Sequence, residues 1–237
     1  MTNRSKVAVF YRHHPNKGGD NVDALDFFRE LYGQCKEGWL TIWTRQDKRT
    51  QWIPVTKLEQ AAEAAMRLSA GGKDVYFGVG LRREPVYKET KDGRRYLARG
   101  ENEDVIAIPG FWIDIDVASE AHKNTELPQS IDEALQLLET FNWQPSILVH
   151  SGHGLHAYWL FDEPWYFKDE LDRRKAEKYA ESFQSAIRTT AINRGWKLDN
   201  TADLARVLRV PGTTNYKIAS KPLPVMVIKV TQHAEAV

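Results

Sequence analysis

The sequence predicts an α+β fold, because strand-like and helix-like segments alternate along its 237 residues. Apolar residues make up 42% of the chain and charged residues 27%, so there is enough apolar surface to form a core and intrinsic disorder is excluded. No sequence period of about 20–50 residues recurs, which excludes solenoids and propellers. The length suits one large domain or two units packed together.

The first half of the chain contains short strands and two helices. Alternating apolar residues predict strands, whereas apolar residues spaced three and four apart predict helices. We therefore expect a strand over residues 7–11, a helix over 21–31, a hairpin of 39–43 with 51–55 around the polar turn 45–50, a helix over 57–70 and a strand over 74–81. Gly71 and Gly72 stop the second helix.

Residues 82–103 have a different character. This segment contains seven Lys and Arg residues and few branched apolar ones. Two interpretations stay open: a mobile basic loop that contacts nucleic acid, or a connector between two halves whose charges are only solvated.

The second half is richer in local signals. Ser130 and Glu133 form the pattern of a capping box, which starts a helix that runs to residue 141. The apolar runs 145–151 and 155–161 flank a glycine-bearing turn and predict a second hairpin. Besides the strand at 111–117, we expect a long helix over 169–193, a strand over 202–210, a last strand over 224–230 and a disordered tail at 231–237.

Charge, cysteine content and hydropathy restrict the class of protein further. The net charge is only +1 at pH 7, so any binding to polyanions must come from local clusters of basic residues. Cys35 is the single cysteine, which excludes an internal disulfide and a cysteine-based zinc cluster. No apolar signal core follows Met1, and no run approaches the roughly 18 apolar residues of a membrane span. We therefore expect a cytoplasmic protein with no membrane partner.

Asp114 and Asp116 are the sharpest chemical feature of the sequence. Residues two apart in a strand point to the same side, so both carboxylates leave one face while Ile113 and Ile115 point to the other. Two like charges on an apolar strand repel each other unless a cation neutralises them, and a hard divalent cation does so with oxygen ligands. A solvated edge strand with two chance acids is the alternative.

A glycine-bearing loop, Ser151-Gly152-His153-Gly154, comes just before His156. Its glycines let backbone N–H groups approach a phosphate as a nest, and the Ser151 hydroxyl and the His156 imidazole are further donors. Two alternatives stay open here: a plain hairpin turn, or a metal site made of histidines.

A third segment places Asp203 ahead of three cations, Arg206, Arg209 and Lys217. The planar fork of arginine suits phosphate oxygens, and lysine adds a compact charge beyond the Pro-Gly turn. An ordinary surface strand with salt bridges would give the same pattern. Together, the three segments supply carboxylates for a metal, a phosphate cradle and an arginine pair, which are the parts that phosphoryl or nucleotidyl transfer needs.

The ordered set FWIDIDV, SGHGLHAYW and D-x-x-RVLRVPGT-x-N-x-K resembles the archaeo-eukaryotic primase (AEP) superfamily, especially the primase-polymerases of phages, plasmids and other mobile elements. The segments GWLTIWTRQDKRTQWIPV and DVYFGVGLR also resemble these proteins. The resemblance implies an N-terminal α/β unit, here residues 1–104, packed on an RRM-like unit, here residues 105–230, with the active-site cleft between them. It also implies primer synthesis on a single-stranded DNA template by two-metal nucleotidyl transfer from NTPs or dNTPs.

The resemblance carries roles onto matching residues. It implies that Asp114, Asp116 and Asp203 hold two Mg²⁺ or Mn²⁺ ions and that His156 contacts the phosphates of the incoming nucleotide. The other nucleotide-binding residues it implies are Arg206, Arg209 and Lys217, which grip the triphosphate. Ser151, Gly152 and Gly154 are nucleotide-binding candidates from the chemistry of the loop itself. The chain departs from the family in two ways: Gly154 stands where many relatives have a serine, and no cysteine-based zinc element is possible, so no zinc is expected.

Partners follow from the same resemblance. Family members are often joined to a replicative helicase, so a fused or associated helicase is expected. The template strand is expected to cross basic residues and exposed aromatics, for which residues 82–99 and the tryptophan-bearing segments are the candidates.

Two other functions are compatible with the sequence. One is a replication-initiation nuclease or relaxase that uses His150, His153 and His156 with a tyrosine such as Tyr158. The other is a non-catalytic module that binds single strands. The first predicts a covalent protein–DNA adduct without any need for nucleoside triphosphates, and the second predicts binding without synthesis.

Overall fold

The computed structural model describes residues 21–121 and 125–230. The strand expected at 7–11 and the disordered tail expected at 231–237 lie outside these ranges. The helices of the described part are α1 (Asn21–Tyr32), α2 (Leu58–Ala70), α3 (Ile131–Leu138) and α4 (Glu170–Ile192). Its strands are β1 (Trp39–Thr44), β2 (Thr50–Pro54), β3 (Val75–Gly78), β4 (Leu81–Arg82), β5 (Tyr87–Glu89), β6 (Arg95–Leu97), β7 (Val105–Asp116), β8 (Ile147–His150), β9 (Gly154–Tyr166), β10 (Val207–Arg209), β11 (Thr214–Asn215), β12 (Leu223–Pro224) and β13 (Met226–Val230).

One large sheet organises the described residues. Nine strands form it in the order β10-β3-β1-β4-β7-β9-β8-β13, with β2 added by its pairing to β1. Neighbouring strands in this sheet run antiparallel. The mixed α+β architecture predicted from the sequence is therefore confirmed. Strands from both expected units join this sheet, since β10 pairs with β3, and the division into 1–104 and 105–230 stays a prediction.

The end of β7 and the beginning of β9 pair at the centre of the molecule, and apolar side chains are buried on both of their faces. Trp112 and Tyr158 belong to the larger apolar cluster, together with Phe27 of α1 and residues of α2. Ile113 and Ala157 point the other way, into a second cluster that α3 and α4 cover. Burying one large apolar side chain contributes roughly 1.5–3 kcal/mol, so these two layers hold β7 and β9 firmly at the centre of the molecule.

A bulge allows β7 to be one long strand. Its register against β9 shifts between Ile108 and Gly110, on either side of Pro109, which has no N–H to donate to the ladder. A Cβ at Gly110 would lie 2.1 Å from the Trp159 carbonyl oxygen, so glycine is required for this close approach. The strand thereby continues for 12 residues and ends at Asp116, beyond the bulge.

The predicted helices agree closely with the structure, whereas several predicted strands differ from it in length. The helices α1, α2 and α4 and the first hairpin lie within about two residues of their expected ends, and α3 ends three residues earlier. In contrast, β7 begins six residues before the expected position 111, β9 continues five residues past the expected position 161, and β10 covers only the last part of the expected strand 202–210. The strand expected over 74–81 is divided, because β3 pairs with one side of β1 and β4 with the other. The chain must therefore cross the end of β1 at Val79 and Gly80.

The basic segment also differs from expectation. Strands β5 and β6 form a small separate ribbon within it. Arg82 is fully buried and donates to the carbonyl oxygens of Gly80 and Ala205, so it cannot contact nucleic acid. Burial lowers the pKa of Arg82 to about 10. Space for its guanidinium exists because Gly78 has no Cβ, which would lie 2.0 Å from Nη1.

None of the described helices has the length and apolar character that crossing a bilayer demands.

Candidate active site

A polar cavity of about 150 Å³ lies where several distant parts of the sequence meet. Its walls combine the end of β7, the β8–β9 hairpin, β3 and the segment from β10 to β11. The lining residues are Arg45, Tyr76, Asp114, Asp116, Ser151, His153, His156, Val207, Leu208, Arg209, Asn215 and Lys217. Six of the ten residues singled out from the sequence are in this set.

Asp114 and Asp116 reach the cavity by strand alternation. Ile113 and Ile115 are fully buried in the apolar cluster under α3 and α4, so the two carboxylates point to the opposite face. The Asp114 side chain keeps 29% of its surface exposed. The arrangement predicted from the sequence FWIDIDV is thus present, with both acids directed at one small volume.

The pKa of Asp114 is shifted by its surroundings. Burial raises it to about 6, against the opposing charges of Arg206, Arg209 and Lys217. The charge of Asp199 raises it further. The cations of the protein therefore do not fully compensate the charge of this carboxylate, and a further cation in the cavity would stabilise its ionised form.

His156 stands directly opposite Asp114 in the β7–β9 ladder. Its Nε2 lies 3.5 Å from Asp114 Oδ1, and its side chain is 3% exposed. Burial lowers the pKa of His156 to about 3, with the charges of Arg209 and His150 adding to the effect. The imidazole is therefore neutral at pH 7, and its contact with Asp114 is not an ion pair. Within the described residues, Nδ1 is buried and has no hydrogen-bond partner.

The glycine loop is shaped differently from the phosphate nest that was expected. The Gly152 N–H already pairs with His150 Nδ1, at 3.2 Å, which removes it as a phosphate donor. A Cβ at Gly154 would lie 2.5 Å from the Ile115 carbonyl oxygen, so this glycine allows β9 to approach β7. Ser151 lines the cavity, while Gly152 and Gly154 do not. The two glycines thus set the course of the backbone.

Arg209 and Lys217 bring positive charge to the cavity. The Arg209 guanidinium pairs with Asp74 at 2.5 Å and stacks on Tyr76, with 4.7 Å between its central carbon and the ring centroid. Arginine has five N–H donors in a plane, so one ion pair leaves others for a ligand. Burial lowers the pKa of Lys217, and the charge of Asp116 opposes that shift. A ligand with several negative oxygens suits this pair of cations.

Asp203 and Arg206 lie outside the cavity lining. They pair with each other at 2.5 Å, and Arg206 also donates to the Asn200 carbonyl oxygen. The described ranges contain no group of three His, Cys, Asp or Glu side chains placed to hold a metal. Asp203 is thus not among the residues that line the cavity with Asp114 and Asp116, and its role as a third metal ligand stays a prediction. The charge of another acid, Asp199, raises the pKa of Asp114.

Six lining residues are outside the ten that were singled out: Arg45, Tyr76, His153, Val207, Leu208 and Asn215. Of these, His153 had been named only for the alternative histidine site. Asn215 has the clearest structural task, because its Nδ2 donates to the Ser151 carbonyl oxygen at 2.7 Å and its Oδ1 accepts from the Lys217 N–H at 2.9 Å. Its place in the pattern GT-x-N-x-K was a usable signal. Arg45 and Tyr76 have no local signal, since they reach the cavity through strand pairing.

The tyrosine of the nuclease hypothesis is not accessible. Tyr158 is 1% exposed, and burial raises the pKa of its phenol well above the ordinary value. Its ring packs between Phe27 and Phe77 in the apolar core, at centroid distances of 5.6 and 6.5 Å. A buried, protonated phenol cannot attack a DNA phosphate, so Tyr158 is wrong as the nucleophile.

Comparisons with known proteins gave structural similarities only. No protein-family model matches the sequence, and a search of curated proteins gave no significant match. The chain is similar to the AEP domain of the primase-polymerase of cyanophage S-2L, with 13% identity and a TM-score of 0.49 over 86% of this chain and 89% of that one.

Two structures of the primase RepB′ are also similar. The first has 15% identity and a TM-score of 0.44 over 86% of this chain and 55% of the other. The second, its catalytic domain in complex with initiator DNA, has 13% identity and a TM-score of 0.46 over 88% and 84%.

Proposed function

We propose that this protein is a nucleotidyltransferase of the primase type, which synthesises a primer on single-stranded DNA from nucleoside triphosphates. The observation that carries the proposal is the meeting of Asp114, Asp116, His156, Arg209 and Lys217 around one cavity. Two adjacent carboxylates opposite two cations suit a ligand that consists of a metal ion and a triphosphate, because each component offsets the charge of one side. The sequence resemblance points to the same chemistry.

The donor set fits a hard divalent cation such as Mg²⁺ or Mn²⁺. Asp114 and Asp116 offer only oxygen, and Mg²⁺ is commonly held by one or two carboxylates plus waters and substrate phosphates rather than by an all-protein cage. A third protein ligand is therefore not required for a fit. When bound, the metal would lower the pKa of the attacking 3′-hydroxyl and neutralise charge on the triphosphate.

The remaining residues have separate tasks in this proposal. Lys217 and the free donors of Arg209 bind the triphosphate oxygens and stabilise the charge that develops on the leaving pyrophosphate. The neutral His156 donates a hydrogen bond from Nε2 to a phosphate oxygen, since a deprotonated imidazole keeps one N–H. Asn215 positions Lys217 and the Ser151 backbone, and touches neither metal nor phosphate in this scheme.

A template-dependent synthesis assay without added primer tests the proposal. Wild-type protein should form oligonucleotides on single-stranded DNA only when Mg²⁺ or Mn²⁺ is present. Asp114→Asn and Asp116→Asn should each reduce the rate by more than about 100-fold, because they remove a ligand of the reacting complex. Asp162→Asn, which changes an exposed acid of β9 outside the cavity, is the matched control and should leave the rate unchanged.

Other outcomes separate the alternatives. Well-folded Asp114→Asn and Asp116→Asn variants that still synthesise primers would end the metal-site proposal. Binding of single strands without synthesis under any metal or nucleotide would identify a non-catalytic binding module. A covalent protein–DNA adduct formed without nucleotides would identify a nuclease or relaxase.

A further inference from the structure

A row of cations and aromatic rings leads away from the cavity across one face of the sheet. Arg209, Tyr76 and Trp43 occupy directly paired positions on β10, β3 and β1, and paired residues present their side chains on the same face. The Arg209 guanidinium lies 4.7 Å from the Tyr76 ring centroid, and the Tyr76 and Trp43 rings are 5.4 Å apart. Arg99 continues the row, with its guanidinium 5.5 Å from the Trp43 ring centroid.

The row reaches the β5–β6 ribbon. Trp52 of β2 donates its ring N–H to the Ala98 carbonyl oxygen at 2.9 Å, which attaches the end of the ribbon to the sheet. The hydrogen-bond ladder of the ribbon continues to Ala98, so Arg95 and Arg99, four residues apart, lie on one side of an extended chain. Arg95 stacks on Tyr87 at 4.7 Å, and 55% of Tyr87 is exposed.

Arg95 and Arg99 differ from two other cations of the ribbon, Lys88 and Arg94. Lys88 and Arg94 form ion pairs with Glu101 and Asp92, and are thereby neutralised. In the described part of the chain, Arg95 and Arg99 stack on rings and form no ion pair with a carboxylate. A guanidinium stacked on a ring keeps the N–H donors at its edge, which is the geometry that binds phosphate oxygens.

We infer that this cation–aromatic row, Arg209–Tyr76–Trp43–Arg99 with Arg95 and Tyr87 beyond it, is the surface along which single-stranded DNA approaches the cavity. Bases stack on Tyr87 and on the exposed part of Trp43, and phosphates bind Arg95 and Arg99. Stacking tolerates any base, which is what a template track needs, and it requires unpaired bases. The inference rests on the proposed function for the identity of the strand as a template, but strand binding can be measured without synthesis.

The test is fluorescence anisotropy with a labelled oligo-dT of about 20 nucleotides, in the absence of nucleoside triphosphates. Tyr87→Ala should raise Kd by roughly 5- to 100-fold, the range for losing one base–aromatic stack. Arg95→Gln and Arg99→Gln should each lower the slope of log K against log salt by about 0.7, the value for one phosphate contact on a single strand. A DNA duplex should bind more weakly than the single strand.

A matched control is present on α4. Tyr179 is 50% exposed and has Lys175 Nζ 5.6 Å from its ring centroid, so it forms the same kind of pair away from the row. Tyr179→Ala should leave Kd unchanged. The inference would be overturned if Tyr87→Ala and Arg99→Gln both kept the wild-type Kd and salt slope. It would also be overturned if a DNA duplex bound as tightly as the single strand. If the variants bind single strands like wild type and primer synthesis is normal, the proposed function stands but this surface is not the DNA track. If the variants lose binding as expected but the wild-type protein synthesises no primer, the row binds DNA and the proposed function is wrong.

Discussion

The ion pair between Asp74 and Arg209 allows a quantitative test of how the cavity is built. The two side chains are 4% and 6% exposed, and their charged atoms are 2.5 Å apart. Asp74 has further partners: Oδ1 accepts from the Tyr216 N–H at 2.9 Å, and Oδ2 accepts from Gln46 Nε2 at 3.1 Å. One carboxylate therefore fixes a cavity arginine and the backbone next to Lys217.

Replacing Asp74 by alanine leaves the Arg209 guanidinium buried without its counter-charge. Removing one partner of a buried pair costs about 3–5 kcal/mol of unfolding free energy. For a chain of 237 residues, each kcal/mol lowers Tm by roughly 2–4 °C, so we expect a fall of roughly 6–20 °C. Asp74→Asn keeps an oxygen for the Tyr216 N–H and should fall between wild type and alanine.

Thermal unfolding followed by circular dichroism, without nucleotide, measures this loss. Glu59→Ala is the control, because it removes an ion pair with Arg29 at a similar distance, 2.9 Å, in which both side chains are more than half exposed. Its Tm should hardly change. If Asp74→Ala lowers Tm no more than Glu59→Ala does, the buried pair does not stabilise the cavity wall and the reasoning is wrong. A double-mutant cycle with Arg209→Met would then measure the coupling directly.

Three further predictions concern the cavity and its loop. His156→Ala should weaken triphosphate binding by at least about tenfold, since a hydrogen bond to a charged group contributes about 1.5–3 kcal/mol; an unchanged Kd in calorimetry would remove the phosphate role. Asp199→Asn should reduce primer synthesis more than Asp203→Asn does, because the charge of Asp199 acts on Asp114 in the cavity, whereas Asp203 pairs with Arg206. The reverse order of the two rates would identify Asp203 as the third acid. Gly152→Ala should lower Tm more than Gly93→Ala, because both have positive φ but only at position 152 does a Cβ meet neighbouring atoms.

Much of the fold follows from signals that lie within single elements. The Ser130 hydroxyl accepts from the Glu133 N–H at 3.2 Å, as the capping-box pattern predicts, and starts α3 at the expected residue. The alternation around Asp114 and Asp116 likewise sorts acids and isoleucines to opposite faces without reference to any other part of the chain. Such features can be predicted because the residues that decide them are neighbours in sequence.

The features that the sequence did not reveal depend on contacts between distant residues. Arg82 stands in a basic segment, and only its position beneath Gly78 and beside Ala205 shows that it is buried. Tyr76 reaches the cavity because β10 pairs with β3, a contact across about 130 residues that no local pattern encodes. The ion pair between Asp203 and Arg206 is the opposite case, because an i,i+3 contact is local and the alternative of ordinary salt bridges had included it.

The segment after β10 explains how residues of the three sequence motifs come to line one cavity. Asn215 donates to the Ser151 carbonyl oxygen of the β8–β9 hairpin, and the Tyr216 N–H donates to Asp74 at the start of β3. The segment is therefore fixed from both sides of the cavity, and Lys217 follows directly after these two anchors. Since Coulomb attraction falls with distance, the complementarity between this lysine and a ligand depends on both anchors together. Tertiary contacts between the motifs thus set the positions of the charged groups in the cavity. A substitution that breaks either anchor would displace Lys217 even though every charged residue of the motifs is kept.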